Sequence, residues 1–477
     1  MHATDVFVRA AHTAGEAAGR WPGETMRNQE VEDGPAMAAM RQEDVPAAEQ
    51  ADDVIASDGN WRRWCWLRHW EFWLALALGA FLRLWQIGTT QFLDDQAGLY
   101  ALARTSVLHG AFPLTGIPSS IGTLNPPLSV YLLLPFAALT ANPLPAVVTL
   151  ALWNVAGVVF CYIFALRYFG RRVAAVGTLL FATNAAALNY SRFLWQQNYL
   201  PPLLALWALT LYMGAVRGKR RWLAGNILLL CLAILLHATA ALLAPITLAG
   251  ILLAPRFPRL RAYVVAAAGV LLLMVPTLIF EVASRGYDLR KLAHYALHGG
   301  HFDGQIFSVF VGALSGAGSG DLGPQAPYAA SAAWFPIFPW VTLALVLAGW
   351  LVLTVRIGAP AVALWRGAAS ASGDASKVTR VKRWGVAVWR GLRTDAVWRG
   401  RFLLWFWVTL PPLTMLHHSG DLFVHYLLVI FPAVFIVGGF GVEWVLRAAA
   451  TLPARAVLLR RAAPALALLV VALVVAG

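Results

Sequence analysis

Charge is what this chain of 477 residues has least of. Lys, Arg, Asp and Glu make up 13% of it, against 59% hydrophobic residues, and its mean hydropathy is +0.65. Soluble domains carry about a quarter charged residues, so the shortage excludes an ordinary water-soluble domain. Cysteine is nearly missing too. Cys65, Cys161 and Cys231 have no metal-ligand spacing, and the last two lie inside apolar runs, so all three read as small buried hydrophobes. Residues 1–60 contain no apolar run of the kind a cleaved signal peptide needs. No internal repeat is visible, which removes one usual mark of a transporter.

Many long apolar runs are present. A membrane-spanning helix needs about 20 consecutive apolar residues, and eleven stretches reach or approach that length. They are 70–88, 144–166, 173–190, 199–216, 222–238, 240–255, 261–281, 338–356, 402–416, 422–446 and 463–477. The fold class expected is therefore all-α, a polytopic bundle of about eleven transmembrane helices. The last run stops at "VVALVVAG", and that abrupt stop points to further C-terminal sequence. Residues 1–60 are rich in Ala, Glu, Asp and Gln without apolar periodicity, so they read as a disordered acidic tail. Residues 61–477 read as one transmembrane domain.

The net charge of +14 hides an asymmetry. Residues 1–60 hold 4 basic and 12 acidic side chains, and residues 61–477 hold 33 and 11. The basic residues sit in short segments between apolar runs rather than in one patch, so a nucleic-acid partner is excluded. With the tail cytoplasmic, the inside segments 167–172, 217–221, 256–261, 356–401 and 447–461 carry 24 basic residues, and the outside ones carry 5. This is the positive-inside pattern. The run 126–143 would invert every later loop if it crossed the membrane. It is short and bounded by prolines, so it reads as a helix lying along the outer leaflet. The expected location is the cell membrane, with the active site extracytoplasmic.

Two large outer loops result, 89–143 and 282–337, and ionisable side chains collect there. Eight of the eleven histidines fall at or near the outer face: His109, His237, His294, His298, His301, His417, His418 and His425. Ionisable groups at such a boundary mark functional sites. In "QFLDDQAGLYALARTSVLHG", Ala97, Tyr100, Ala101 and Arg104 recur at helical spacing and Gly110 ends the helix. Asp94 and Asp95 then stand at a helix N-terminus, which favours carboxylates. Two readings stand, a catalytic carboxylate or a plain N-cap. The segment "LNYSRFLWQQNYLPP" places Arg192 among aromatics, either as a phosphate ligand or as an interfacial anchor. "HYALHGGH" places His294, His298 and His301 at helical spacing, with no acidic or Cys ligand beside them to complete a metal site. "HHSGDLFVHY" places His417 and His418 at the mouth of a span, with His425 and Tyr426 one turn inside, where they could hold a lipid phosphate.

Taken in order, "LDDQAGLY", "HG…PLTGIPSS…NPPLSVY", "RYFGRR", "YSRFLWQQNYLPP" and "HYLLVIFPA" resemble the C-type (GT-C) polytopic glycosyltransferases, in particular the protein O-mannosyltransferase and aminoarabinose transferase group. The resemblance is best over residues 70–216. It implies juxtamembrane helices in the first outer loop and transfer of a sugar from a polyprenyl-phosphate donor at the extracytoplasmic face. The acceptor is a protein, lipid or glycan. It also implies that Asp95, with Asp94 as the other register, is the acceptor-activating residue. Arg104, Arg192, His417, His418 and Tyr426 are candidates for the lipid phosphate. Many relatives carry a second acidic residue near the place of Asn198, and an amide cannot act as a base. One carboxylate suffices, because a phosphate leaving group needs no general acid. Neither cofactor nor metal is expected for this chemistry. The rival readings are a flippase or transporter for lipid-linked sugars, or an inactive lipid-binding relative.

Overall fold

Glycine lets three helices of this protein approach until their backbones touch. The computed structural model describes residues 65–298, 300–315, 338–370 and 377–451. The expected tail (1–60), the Gly/Ser-rich part of the second outer loop (316–337) and the last apolar run (463–477) lie outside the described residues, as does the side chain of His298.

The described residues are almost entirely helical. The chain enters through α1 (Trp70–Leu84), then α2 (Asp94–His109) and α3 (Leu128–Leu139). Next come α4 (Leu144–Phe169), α5 (Arg171–Thr183), α6 (Leu200–Ala215), α7 (Arg221–Leu236), α8 (Ala244–Leu253) and α9 (Leu260–Ala283). A shorter pair follows, α10 (Tyr287–His298) and α11 (Gln305–Ser315), and then α12 (Phe338–Ser370), α13 (Lys377–Thr394), α14 (Ala396–Thr414) and α15 (Ala433–Ala450). Two residues on each side form an antiparallel ladder, β1 (His301–Phe302) with β2 (His417–His418).

By length and composition, α4, α9, α12 and α15 are long and apolar enough to cross a membrane. Several shorter apolar helices surround them. Along α9 only Ala266 is buried, while Leu271, Leu272 and Val282 are exposed. A helix that is apolar all round and not covered by protein belongs in lipid. The 12 residues of α3 span about 18 Å, well short of the ~30 Å hydrocarbon core. That length fits a helix in the outer loop rather than a span.

The core joins α5, α12 and α15 through glycines. A Cβ on Gly349 would lie 1.8 Å from the Val437 carbonyl oxygen, one on Gly441 would lie 2.5 Å from that of Leu345, and one on Gly439 would lie 2.7 Å from that of Val173. Only glycine allows this approach. In lipid, where no hydrophobic effect drives helices together, such close packing is what holds them.

Three boundaries differ from the sequence expectation. The stretch 173–190 is not one span, because α5 stops at Thr183 and Asn184 caps a new short helix, Ala185–Asn189, through its Oδ1 to the Ala187 amide (2.9 Å). The stretch 422–446 is a 3-10 helix, Val424–Ile430, followed after Pro432 by α15. Proline cannot continue a helix ladder but starts one readily. The helix expected over 338–356 runs on to Ser370, and Arg356 within it is paired with Glu443 (3.7 Å), which also holds Arg447 (2.9 Å). Beyond it, α13 is basic and amphipathic, where the sequence suggested only a loop.

The contacts also separate the two ends of the bundle. Glu71 meets Arg171 where α1 and α5 begin. Arg393 on α13 reaches the Ala254 carbonyl (3.3 Å), and Arg399 reaches that of Val216 (3.2 Å). The basic segments thus gather at one end. His69 lies with them, on Tyr162 (2.8 Å), whereas the 118–124 turn, α10 and Tyr426 meet one another elsewhere.

Candidate functional site

Asp94 and Asp95 open α2, and neither caps it. The Leu93 amide is held by the Gln96 side chain (2.6 Å), which reaches back over the first turn. Both aspartates are exposed, and neither makes a hydrogen bond or ion pair among the described residues. Gly110 (φ +64°) ends the helix in the left-handed conformation open to glycine. The N-cap reading of the aspartates is therefore corrected: Gln96 does that work, and among the described residues neither carboxylate makes a capping bond.

The position of α2 is fixed from its buried face. Tyr100 donates to the carbonyls of Thr140 (3.0 Å) and Asn142 (3.2 Å), and Arg104, one turn on, donates to that of Ala137. The pair ties α2 to the end of α3, where carbonyls lack helical partners. Arg192 does the same for α1: its guanidinium bonds the carbonyls of Leu82 (2.7 Å), Trp85 (2.5 Å) and Gln86 (3.2 Å). Arg83, fully buried, returns the favour by binding the carbonyls of Ala182 (2.8 Å) and Phe181 (3.3 Å) at the end of α5. Of the two readings of Arg192, these bonds match the anchor, and Arg104 is held in the same way. Their charges are spent on helix C-termini, which attract cations.

Between α2 and the rest of the site lies a tight turn. The chain doubles back through a bridge between Pro118 and Leu124, with the Ser119 amide bonded to the Thr123 carbonyl (2.7 Å). Gly122 (φ +74°) permits the reversal. The turn crosses α2 where Gly98 faces Ile117, one helical turn beyond Asp94 and Asp95. On its other side it is held by α10. Asp288 accepts from the Leu124 amide (2.9 Å), and Lys291 donates to the Gly122 carbonyl (2.6 Å). Next to this contact, Arg290, Lys291 and His294 line a cavity with Ile121, Tyr287 and Tyr295. At the tip of the turn the Ser120 hydroxyl lies 3.4 Å from that of Tyr426.

Tyr426 leads into a buried cluster assembled from four segments. The His425 and Tyr426 rings have centroids 4.4 Å apart. Trp195 packs on His425 at 4.7 Å, and His237 lies 5.8 Å from both rings. His237 is oriented by a contact of 2.8 Å to the Thr239 hydroxyl. Several polar atoms here are buried without a partner: Trp195 Nε1, His425 Nδ1, Gln196 Oε1, Gln197 Oε1 and Asn198 Oδ1. Buried polar groups are nearly always paired, so a concentration of unpaired ones marks a place where another molecule completes them. Asn198 is rigidly set. Its amide nitrogen donates to the Phe193 carbonyl (2.8 Å), while its own carbonyl accepts from Asn154 (3.1 Å).

His417 and His418 sit apart from this cluster, in the ladder. His418 Nδ1 donates to the Gly420 carbonyl (2.7 Å), and its Nε2 meets Asp303 Oδ1 (2.8 Å). His301 Nε2 meets Asp303 Oδ2 (3.0 Å). The amide of Gln305 and the His418 ring hold the Asp303 carboxyl below its usual range, and Asp303 in turn raises His418. His417 packs on Phe302 (4.8 Å). An apolar groove opens beside them, walled by Ile306 and Phe310 of α11, Trp350 of α12, and Pro412, Leu413 and Leu416.

The structure brings His425 and Tyr426, both singled out in the sequence, together with His237, and sets Asp288 and Lys291 against the 118–124 turn; none of these last three stood out as a site residue. His237 ends an apolar run, and no local spacing relates it to His425. Asp288 and Lys291 were visible only as an outer helix's charges.

Residues 125–280 match the sequence profile of the family described as dolichyl-phosphate-mannose-protein mannosyltransferase. No curated protein gives a significant match. Among solved structures, one similar to this chain is ArnT from Cupriavidus metallidurans bound to undecaprenyl phosphate. It shows 14% identity and a TM-score of 0.45, with 88% of this chain and 73% of that one covered. The oligosaccharyltransferase AglB from Archaeoglobus fulgidus, in complex with an inhibitory peptide and a dolichol-phosphate, is 15% identical with a TM-score of 0.44 over 86% of this chain. A second structure of the Archaeoglobus fulgidus oligosaccharyltransferase, with Zn and sulfate, is 13% identical with a TM-score of 0.47 over 85% of this chain. This chain spans about half the length of the archaeal proteins, 55% and 52%. The family match covers about a third of this multi-pass membrane protein, and over those residues the chain is similar to the mannosyltransferases.

Proposed function

We propose that the protein transfers a sugar from a polyprenyl-phosphate donor to an acceptor hydroxyl or amine at the extracytoplasmic face of the membrane. The observation that carries this reading is the pair Asp94 and Asp95, exposed at the start of a rigidly held helix while Gln96 does the capping. A carboxylate without a bonded partner among the described residues is suited to work on a substrate.

Asp95 is the first choice for the base and Asp94 the other register. One oxygen takes the proton from the acceptor as its heteroatom attacks the anomeric carbon. The bond from that carbon to the phosphate oxygen breaks through an oxocarbenium-like state, and the polyprenyl phosphate leaves with the electron pair. The phosphate needs donors. Lys291 and Arg290 beside the 118–124 turn supply charge, and Tyr426 and Trp195 supply an O–H and an N–H. Asn198, with its buried free Oδ1, is placed to accept from a sugar hydroxyl. The groove of Ile306, Phe310, Trp350 and Leu413 fits the first isoprene units. In this reading Arg104, Arg192 and Arg83 are positioning residues that set α1 and α2.

The positive-inside count supports a cytoplasmic N-terminus, which puts the aspartates and the cluster outside. The test is turnover of polyprenyl-phosphate sugars by the purified protein, followed by mass spectrometry. Hydrolysis or transfer from one donor supports the reading. Silence across mannose, glucose, N-acetylhexosamine and aminopentose donors contradicts it.

A further inference from the structure

We infer that His301, Asp303 and His418 form a divalent-cation site of the zinc type, which clasps the loop before α11 to the segment after α14. The ligand atoms, one from each residue, all lie within 4.8 Å of one another. The two histidines come from distant parts of the chain and are brought opposite each other by the β1–β2 ladder, in which His301 pairs with His418.

The proton inventory of His418 is the argument. Its Nδ1 faces the Gly420 carbonyl at 2.7 Å, which only an N–H can do. In the neutral ring Nε2 then carries the lone pair. That lone pair points at a carboxylate oxygen 2.8 Å away. Two acceptors at this distance require a cation between or beside them, either a proton or a metal ion. On the other side His301 Nε2 faces the second carboxylate oxygen at 3.0 Å. An imidazole oriented by a backbone carbonyl through its far nitrogen is the usual outer support of a metal-ligating histidine. Asp303 has such support as well, because Oδ1 accepts from the Gln305 amide (2.8 Å).

Two imidazole nitrogens and one carboxylate suit zinc, which takes nitrogen and oxygen ligands at about 2.0–2.2 Å in tetrahedral geometry, so that neighbouring ligand atoms lie ~3.3 Å apart. The separations of 2.8 and 3.0 Å run to the two oxygens of Asp303, and with all ligand atoms within 4.8 Å, small side-chain rotations bring them to that spacing. His301 and Asp303 are exposed, so the ion has a route in and a fourth position left for water.

The clasp has a consequence for the site beside it. Gln305 Oε1, two residues past Asp303, accepts from the Leu422 amide (3.1 Å), and the next turn carries His425 and Tyr426. A cation here fixes the rim of the buried cluster and one wall of the apolar groove. This role is structural and independent of the transfer chemistry.

The test uses the full chain, stripped with a chelator and returned to metal-free buffer near neutral pH. Zinc is titrated by calorimetry, and thermal stability is read in parallel. The expected result is one saturable site per chain with micromolar or tighter affinity and a higher melting temperature. His301→Ala and Asp303→Asn each weaken binding at least tenfold, while His109→Ala, an exposed histidine elsewhere, leaves it unchanged. Asp303→Asn keeps an acceptor for the Gln305 amide, so its loss of binding is separable from misfolding. Equal zinc affinity in wild type and His301→Ala, or no saturable site at all, overturns the proposal and leaves the triad as a proton-bridged contact. Neither result depends on activity, so failure here leaves the glycosyltransferase reading intact.

Discussion

Trp195 and His425 lie with ring centroids 4.7 Å apart, and each presents a buried nitrogen that has no partner among the described residues. One stands just before the 3-10 turn Gln196–Tyr199 that leads into α6, the other in the 3-10 turn before α15. Leaving two such groups unpaired costs about 1–3 kcal/mol each, so their retention points to a ligand. His425→Phe keeps the ring volume and removes the nitrogens. It is expected to preserve the melting temperature within about 1 °C while lowering transfer roughly 100-fold. A variant that transfers normally would make this cluster packing alone.

Gln96→Ala removes the side chain that caps α2. The expected cost is about 1 kcal/mol, read as a small drop in melting temperature. Asp94→Asn should leave that temperature unchanged. If the aspartate variant proves the less stable of the two, the carboxylates are caps after all.

Arg192→Ala strips three bonds from the carbonyls at the end of α1. Charge-assisted bonds of this kind contribute about 1.5–3 kcal/mol each, partly recovered by water. Loss of stability of about 3 kcal/mol is expected. Lower turnover should follow because the loop leading to Asp94 loses its anchor. Arg192→Lys, with one donor centre instead of a fork, should recover part of both. A fall in donor affinity with unchanged stability would restore Arg192 to the phosphate site.

Much of the fold was legible because lipid imposes simple patterns. The apolar runs of α4, α9 and α12 stand out by length, and the periodicity after Asp94 with Gly110 at its end defines α2 closely. What could not be read was pairing. Nothing near His237 in sequence says that it will meet His425, and nothing in "HYALHGGH" says that His301 will turn from that helix to face His418. Arg192 looked like a phosphate ligand because the carbonyls it holds belong to another helix. Breaks inside apolar runs were equally hidden: Asn184 and Pro432 interrupt stretches whose composition is continuous.

Gly349→Leu tests the packing. A Cβ there would lie 1.8 Å from a carbonyl oxygen of α15, far inside contact distance. The variant should fail to yield monodisperse protein in detergent, whereas Gly367→Leu, with open space around it, should purify normally. A well-behaved Gly349 variant would contradict the close α12–α15 crossing.

The most direct measurement is sugar transfer itself. Wild type and Asp95→Asn, each in nanodiscs, are incubated with a panel of polyprenyl-phosphate sugars, and the released lipid phosphate is followed by mass spectrometry. The account predicts turnover of one donor by the wild type and a loss of about 10²–10⁴-fold in Asp95→Asn, the range general-base removal gives, at equal expression and melting temperature. Turnover by Asp95→Asn equal to that of the wild type would remove Asp95 from the mechanism, and no turnover by the wild type on any donor would contradict the proposed function.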